Sequence, residues 1–97
     1  MNHYVYVLIS VKTGRSYVGY TTDLARRILE HNRGDTRSTR PFGPWKMIYH
    51  EAFEGRSEAC KREWHLKNAA GRKEKLGIIE KFGTKATTNV RKGAGAV

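Results

Sequence analysis

The sequence of 97 residues predicts an α+β domain, a three-stranded antiparallel sheet flanked by two or three helices. Three observations carry that class. Two apolar runs rich in Val, Ile and Tyr stand on either side of a short loop holding Gly14, the pattern of hairpin strands. A third run, Trp45–Phe53, mixes aromatic and aliphatic residues in the same way. Between and after these runs, apolar residues recur at helical spacing and stop at glycines. The length suits one domain with a modest core, assigned to residues 1–82. Residues 83–97, GTKATTNVRKGAGAV, lack periodicity and large apolar side chains and are expected to form a disordered basic tail.

The hairpin comes first. If its loop is the four residues Val11, Lys12, Thr13 and Gly14, Ser10 pairs with Arg15. Tyr6 then lies opposite Gly19 and Tyr17 opposite Leu8, so both tyrosines share a face. Gly19 would leave a hollow beside Tyr6. Thr21 or Thr22 can cap the helix that follows, with Asp23 in its first turn. That helix is expected over 23–33 and ends at Gly34. Leu24, Ala25, Ile28 and Leu29 form its apolar arc, with Arg27 and His31 on one edge. Arg26, Glu30 and Arg33 point away.

Residues 35–44 form a basic loop with Arg37, Arg40 and two prolines. In the strand Trp45–Phe53, Trp45, Met47, Tyr49 and Phe53 are expected to alternate against Ile48 and Ala52. Ser57 is the expected cap of a second helix, with Glu58 in its first turn and Gly71 as its stop. A looser third helix over 72–82 would use Leu76, Ile79 and Phe82, weakened by Gly77.

The formal net charge of +10 implies a polyanionic partner. Nucleic acid is favoured over a membrane, because no broad apolar face accompanies the charge. Cys60 is the only cysteine, which excludes an intrachain disulfide and a thiolate zinc cluster. The longest apolar run, residues 5–9, is far shorter than the roughly 20 residues of a membrane span. A cytoplasmic location is the default expectation.

In the second helix, Ala59, Leu66 and Ala70 line a stripe flanked by Cys60, and Glu63 falls near its centre. An unpaired buried carboxylate is costly, so Glu63 needs a partner or a task. Lys67, four residues on, is one answer. A divalent ion completed by waters and phosphate oxygens is the other. Two tyrosine hydroxyls, a guanidinium, an imidazole and a carboxylate thus converge beside one sheet. Phosphodiester cleavage uses those groups for proton transfer, charge neutralisation and metal binding.

Tyr4-Val5-Tyr6, ten intervening residues and Tyr17-Val18-Gly19 resemble the paired signature of GIY-YIG nucleases. The first triplet carries Tyr4 and Val5 where the family has glycine and isoleucine. The family's essential arginine falls on Arg27, its histidine on His31 and its metal-binding glutamate on Glu63. RPFGPW and KRE are similar to the small stand-alone bacterial members. The resemblance implies a GIY-YIG-like fold and an endonuclease with one Mg²⁺ or Mn²⁺ held by Glu63. Tyr6 or Tyr17 would take the proton from the attacking water, and Arg27 would neutralise the developing charge. DNA, branched or damaged, is the leading substrate class. Lys12, Arg15, Arg26, Arg37, Arg40, Lys61, Lys67 and Arg72 are the expected nucleic-acid contacts. The alternative is a non-catalytic module that binds DNA or RNA. No protein partner is indicated.

Overall fold

A computed structural model describes residues 2–83 of the chain. The elements run β1 His3–Ser10, β2 Ser16–Thr21, α1 Leu24–Arg33, β3 Trp45–Phe53, α2 Arg56–Lys67 and α3 Arg72–Ile78. The sheet is antiparallel with β1 in the centre and the order β2-β1-β3. The expected tail falls outside the described residues except for Gly83. That residue is buried at the end of a π turn, Ile79–Gly83, and so belongs to the domain.

The four-residue hairpin loop forms as expected. Gly14 takes a positive φ of 79° and donates its N–H to the Ser10 carbonyl at 2.9 Å, a conformation glycine adopts without steric penalty. The Ser10 N–H donates to the Arg15 carbonyl at 2.8 Å. The register then sets Tyr6 against Gly19 and Leu8 against Tyr17. Instead of a hollow, the Tyr6 ring itself lies over Gly19, where an added Cβ would overlap its hydroxyl.

The third strand departs from simple alternation. Its pairing passes from Val7↔Tyr49 to Leu8↔Met47, so Ile48 is an extra residue, a β-bulge. One inserted residue reverses the parity of everything beyond it. Trp45 and Met47 therefore join Tyr6 and Leu8 on one face, with Leu24 and Ile28 of α1 against them. Ile48, Tyr49 and Phe53 join Val5, Val7 and Val18 on the other, against Ala59, Leu66 and Ile78 of α2 and α3. The helices thus cover both faces of the sheet.

Asp23, not a threonine, caps α1: its carboxylate accepts the Arg26 N–H at 3.0 Å. Thr21 serves one step earlier, accepting the Asp23 N–H at 3.1 Å. Gly34 ends the helix with φ 82°. The expected apolar arc is rotated. Ala25 and Leu29 are exposed, while Arg27 and His31 turn towards the sheet with Leu24 and Ile28. Ser57 lies inside the first turn of α2, after Gly55 at the cap position, and the helix ends at Lys67 with Asn68 as its cap. Gly71 instead closes a short 3₁₀ turn, packed so closely on the His65 carbonyl that a Cβ would overlap it. Ala70 and Leu76 are exposed, contrary to expectation. Ile78 fills the core in their place, with Ile79 and Phe82 packed beside it.

Candidate active site

The Tyr6 side chain, 1% exposed, reaches across its face of the sheet to α1. Its oxygen lies 2.8 Å from His31 Nε2 and accepts the Arg27 Nε–H at 3.3 Å. Direction can be assigned to these bonds. The Thr39 hydroxyl donates to the Thr36 carbonyl at 3.3 Å, leaving its oxygen to accept the His31 Nδ1–H at 2.9 Å. His31 Nε2 is then bare, so the Tyr6 hydroxyl donates to it. Burial, reinforced by the Arg27 charge, lowers the His31 pKa to about 4, so the imidazole is neutral. Burial likewise pushes the Tyr6 hydroxyl up to about 12, against the lowering hydrogen bond from Arg27, and Tyr6 rests protonated.

The position of His31 is fixed from three sides. Asn32 clamps Trp45, donating from its amide to the Trp45 carbonyl at 3.1 Å and accepting the Trp45 N–H at 2.6 Å. The Trp45 indole donates to the Thr39 carbonyl at 2.9 Å. Helix α1, strand β3 and the loop carrying Thr39 are thereby locked around one imidazole. Arg27 is held as well, its Nη1 donating to Glu30 Oε1 at 2.9 Å, which raises the guanidinium pKa further. Glu30, expected to point to solvent, is half-buried in this pair.

Tyr17 packs edge-on against His31 at 5.0 Å between ring centres, with Tyr6 at 6.3 Å. The Lys67 ammonium lies 5.5 Å from its ring and 3.0 Å from Glu63 Oε2. Because α2 packs on the opposite face, Lys67 and Glu63 come round the edge strand β2 to reach the tyrosine side. Glu63 is close enough to help hold the Tyr6 proton on. All five candidate residues, Tyr6, Tyr17, Arg27, His31 and Glu63, are therefore gathered around the β1–β2 half of the sheet.

The eight candidate nucleic-acid contacts are all exposed. Lys12 and Arg15 sit in and beside the hairpin loop, where the Arg15 guanidinium covers the Phe42 ring at 4.3 Å. That contact brings them to the loop of Arg37 and Arg40. Arg26 is on the outer side of α1, and Lys61, Lys67 and Arg72 lie on α2 and α3. Nothing in the sequence singles out Thr39 or Glu30. A threonine inside a polar loop and a glutamate at helical spacing from two arginines carry no mark of their partners.

A family model described as GIY-YIG catalytic domain matches residues 2–76. The UPF0213 protein of Halalkalibacterium halodurans is 40% identical over 84 residues, 86% of this chain and 88% of that protein. The UPF0213 protein of Staphylococcus saprophyticus is 38% identical over 78 residues, 79% and 93% of the two chains. A solution NMR structure of a UPF0213 protein from Bacillus halodurans superimposes with a TM-score of 0.52 at 39% identity. It covers 92% of this chain and 100% of its own.

Proposed function

The chain belongs to the GIY-YIG family, and from that premise we propose that it is a divalent-metal-dependent endonuclease hydrolysing DNA phosphodiester bonds. The observation that carries this reading is the Tyr6 hydroxyl, bonded at once to a neutral imidazole and a fixed guanidinium. A structural tyrosine needs one partner, not a proton acceptor and a cation together.

Among the described residues, no group of three or more His, Cys, Asp or Glu is placed to hold a metal ion. A lone carboxylate, Glu63, fits a hard cation that keeps several waters and takes the rest of its shell from a substrate phosphate. Bound there, Mg²⁺ or Mn²⁺ would polarise the phosphate and steady the leaving oxygen.

The residues of the chain supply the rest. A water proton passes to the Tyr6 oxygen as Tyr6 passes its own to His31 Nε2, so no free phenolate is needed. The water oxygen bonds phosphorus and the phosphorus–oxygen ester bond breaks, the leaving oxygen taking a proton from solvent. Arg27, pinned by Glu30, counters the charge growing on the phosphoryl oxygens in this reading. The imidazolium formed at His31 is offset by the anionic phosphate until its proton returns to solvent. Tyr17 walls the site and orients the imidazole by its edge contact.

The test is cleavage of duplex, flap, branched and single-stranded DNA with Mg²⁺ or Mn²⁺. Glu63→Gln should bind nucleic acid as before and lose cleavage. Turnover in that variant equal to the original would contradict the metal role. The Lys67 pair, the plain structural partner for Glu63, favours a second reading, a module that binds nucleic acid without cutting it. Binding by the native protein without metal-dependent cleavage would establish that one.

A further inference from the structure

The chain has two tryptophans, and they are used in opposite ways. Trp45 is 5% exposed with its indole N–H satisfied, whereas Trp64 on α2 is 62% exposed. A large ring in water contributes little to folding, so Trp64 has no evident structural task. Its neighbours on the helix surface are Lys61 and Lys67, three residues before and after it, both exposed. Lys67 also touches the candidate site, at 3.0 Å from Glu63 and within 5.5 Å of the Tyr17 ring. A flat apolar ring between two cations, next in sequence to the candidate metal carboxylate, asks for a ligand that is flat, apolar and anionic at its rim.

An unpaired nucleotide meets that description, with a base to stack on the indole and flanking phosphates for the two ammonium groups. A paired base does not, since both its faces are covered within the duplex. Glu63 and Trp64 are consecutive, about 100° apart around the helix, and Lys67 reaches back to Glu63 with its ammonium 3.0 Å from that carboxylate. A base on Trp64 with its phosphate held by Lys67 would thus place that phosphate beside Glu63. We propose that Trp64, flanked by Lys61 and Lys67, is a stacking platform for an unpaired nucleotide and directs the protein to single-stranded or branched nucleic acid. The proposal rests on the nuclease reading only for the direction in which the strand runs towards the site.

The test measures binding without divalent ions, so that it does not depend on cleavage. The full chain is titrated at fixed salt with a short oligothymidylate and with a hairpin duplex of equal charge, following tryptophan emission and affinity. The oligothymidylate should quench native emission, and Trp64→Leu should abolish the quench. The same change should weaken single-strand affinity by about tenfold or more, the loss expected for one stacked base. Duplex affinity should change less than about twofold, and Trp64→Phe should keep most of the single-strand affinity. Emission from buried Trp45 reports that each variant is folded. An unquenched native protein, or equal single-strand affinity in native and Trp64→Leu proteins, would overturn the platform and leave the surface to another kind of partner. Stacking without metal-dependent cleavage would remove the nuclease reading alone. Cleavage with a substrate preference indifferent to Trp64→Leu would remove the platform alone.

Discussion

Thr39 decides what Tyr6 can do. Its hydroxyl fixes the proton on His31 Nδ1, which leaves Nε2 free to accept from Tyr6. Thr39→Val keeps the shape and removes the acceptor. The expected result is a buried, unsatisfied imidazole N–H, with a stability loss of about 1–3 kcal/mol. Imidazole nitrogen shifts in NMR should show the loss of the single tautomer, and cleavage should slow while nucleic-acid affinity holds. An unchanged tautomer would remove the relay. His31 also sets a pH response. Its folded pKa of about 4 lies below its ordinary value of 6.5. The unfolded chain therefore takes up the proton first as pH falls. Stability should be full above about 6.5 and decline towards 4, as chemical denaturation across that range would report. His31→Asn should flatten the decline.

Strand β3 and helices α2 and α3 carry a test of their own. Arg62 joins three elements, donating to both carboxylate oxygens of Glu51 at 2.9 Å and to Glu74 at 3.0 Å. Tyr49 donates to the same Glu51. These bonds hold Glu51 and Glu74 below the usual carboxylate range, although burial opposes the shift at Glu51. Arg62→Leu should cost about 1–3 kcal/mol in denaturant unfolding by stranding half-buried Glu51, with single-turnover cleavage unaffected. A cleavage defect beyond the stability loss would mean that the clamp also sets the site. The strands themselves were legible in the sequence. Gly14 determined the loop, the loop determined the register, and the register put Tyr6 and Tyr17 on one face. The bulge was not, because Ile48 is as suited to either apolar face as the residues around it. The phase of α1 is hidden from the sequence for a related reason. Apolar spacing marks Ala25 and Leu29 as inward, whereas His31 and Arg27 are drawn inward by bonds to Tyr6, which lies 25 and 21 residues away in sequence. Periodicity cannot register such partners.

At the scale of the whole molecule, a charge of +10 will attract nucleic acid whether or not any residue is placed for catalysis. A catalytic site asks for more, that one cation is placed. Arg26 and Arg27 share composition, neighbourhood and even the acceptor Glu30, yet Arg26 is 62% exposed and Arg27 29%. Only Arg27 reaches Tyr6. Removing either lowers the net charge equally, so whatever separates the two variants is due to position. Single-turnover cleavage at saturating enzyme, with affinity measured alongside, separates rate from binding. Arg27→Ala should slow the chemical step by about two to three orders of magnitude with little change in affinity, the loss expected for a preorganised charge-stabilising donor. Arg26→Ala should weaken binding modestly and leave the rate nearly unchanged, its charge being exposed and screened by salt. Equal rate losses in the two variants would contradict a placed catalytic arginine and leave only the general field of a basic protein.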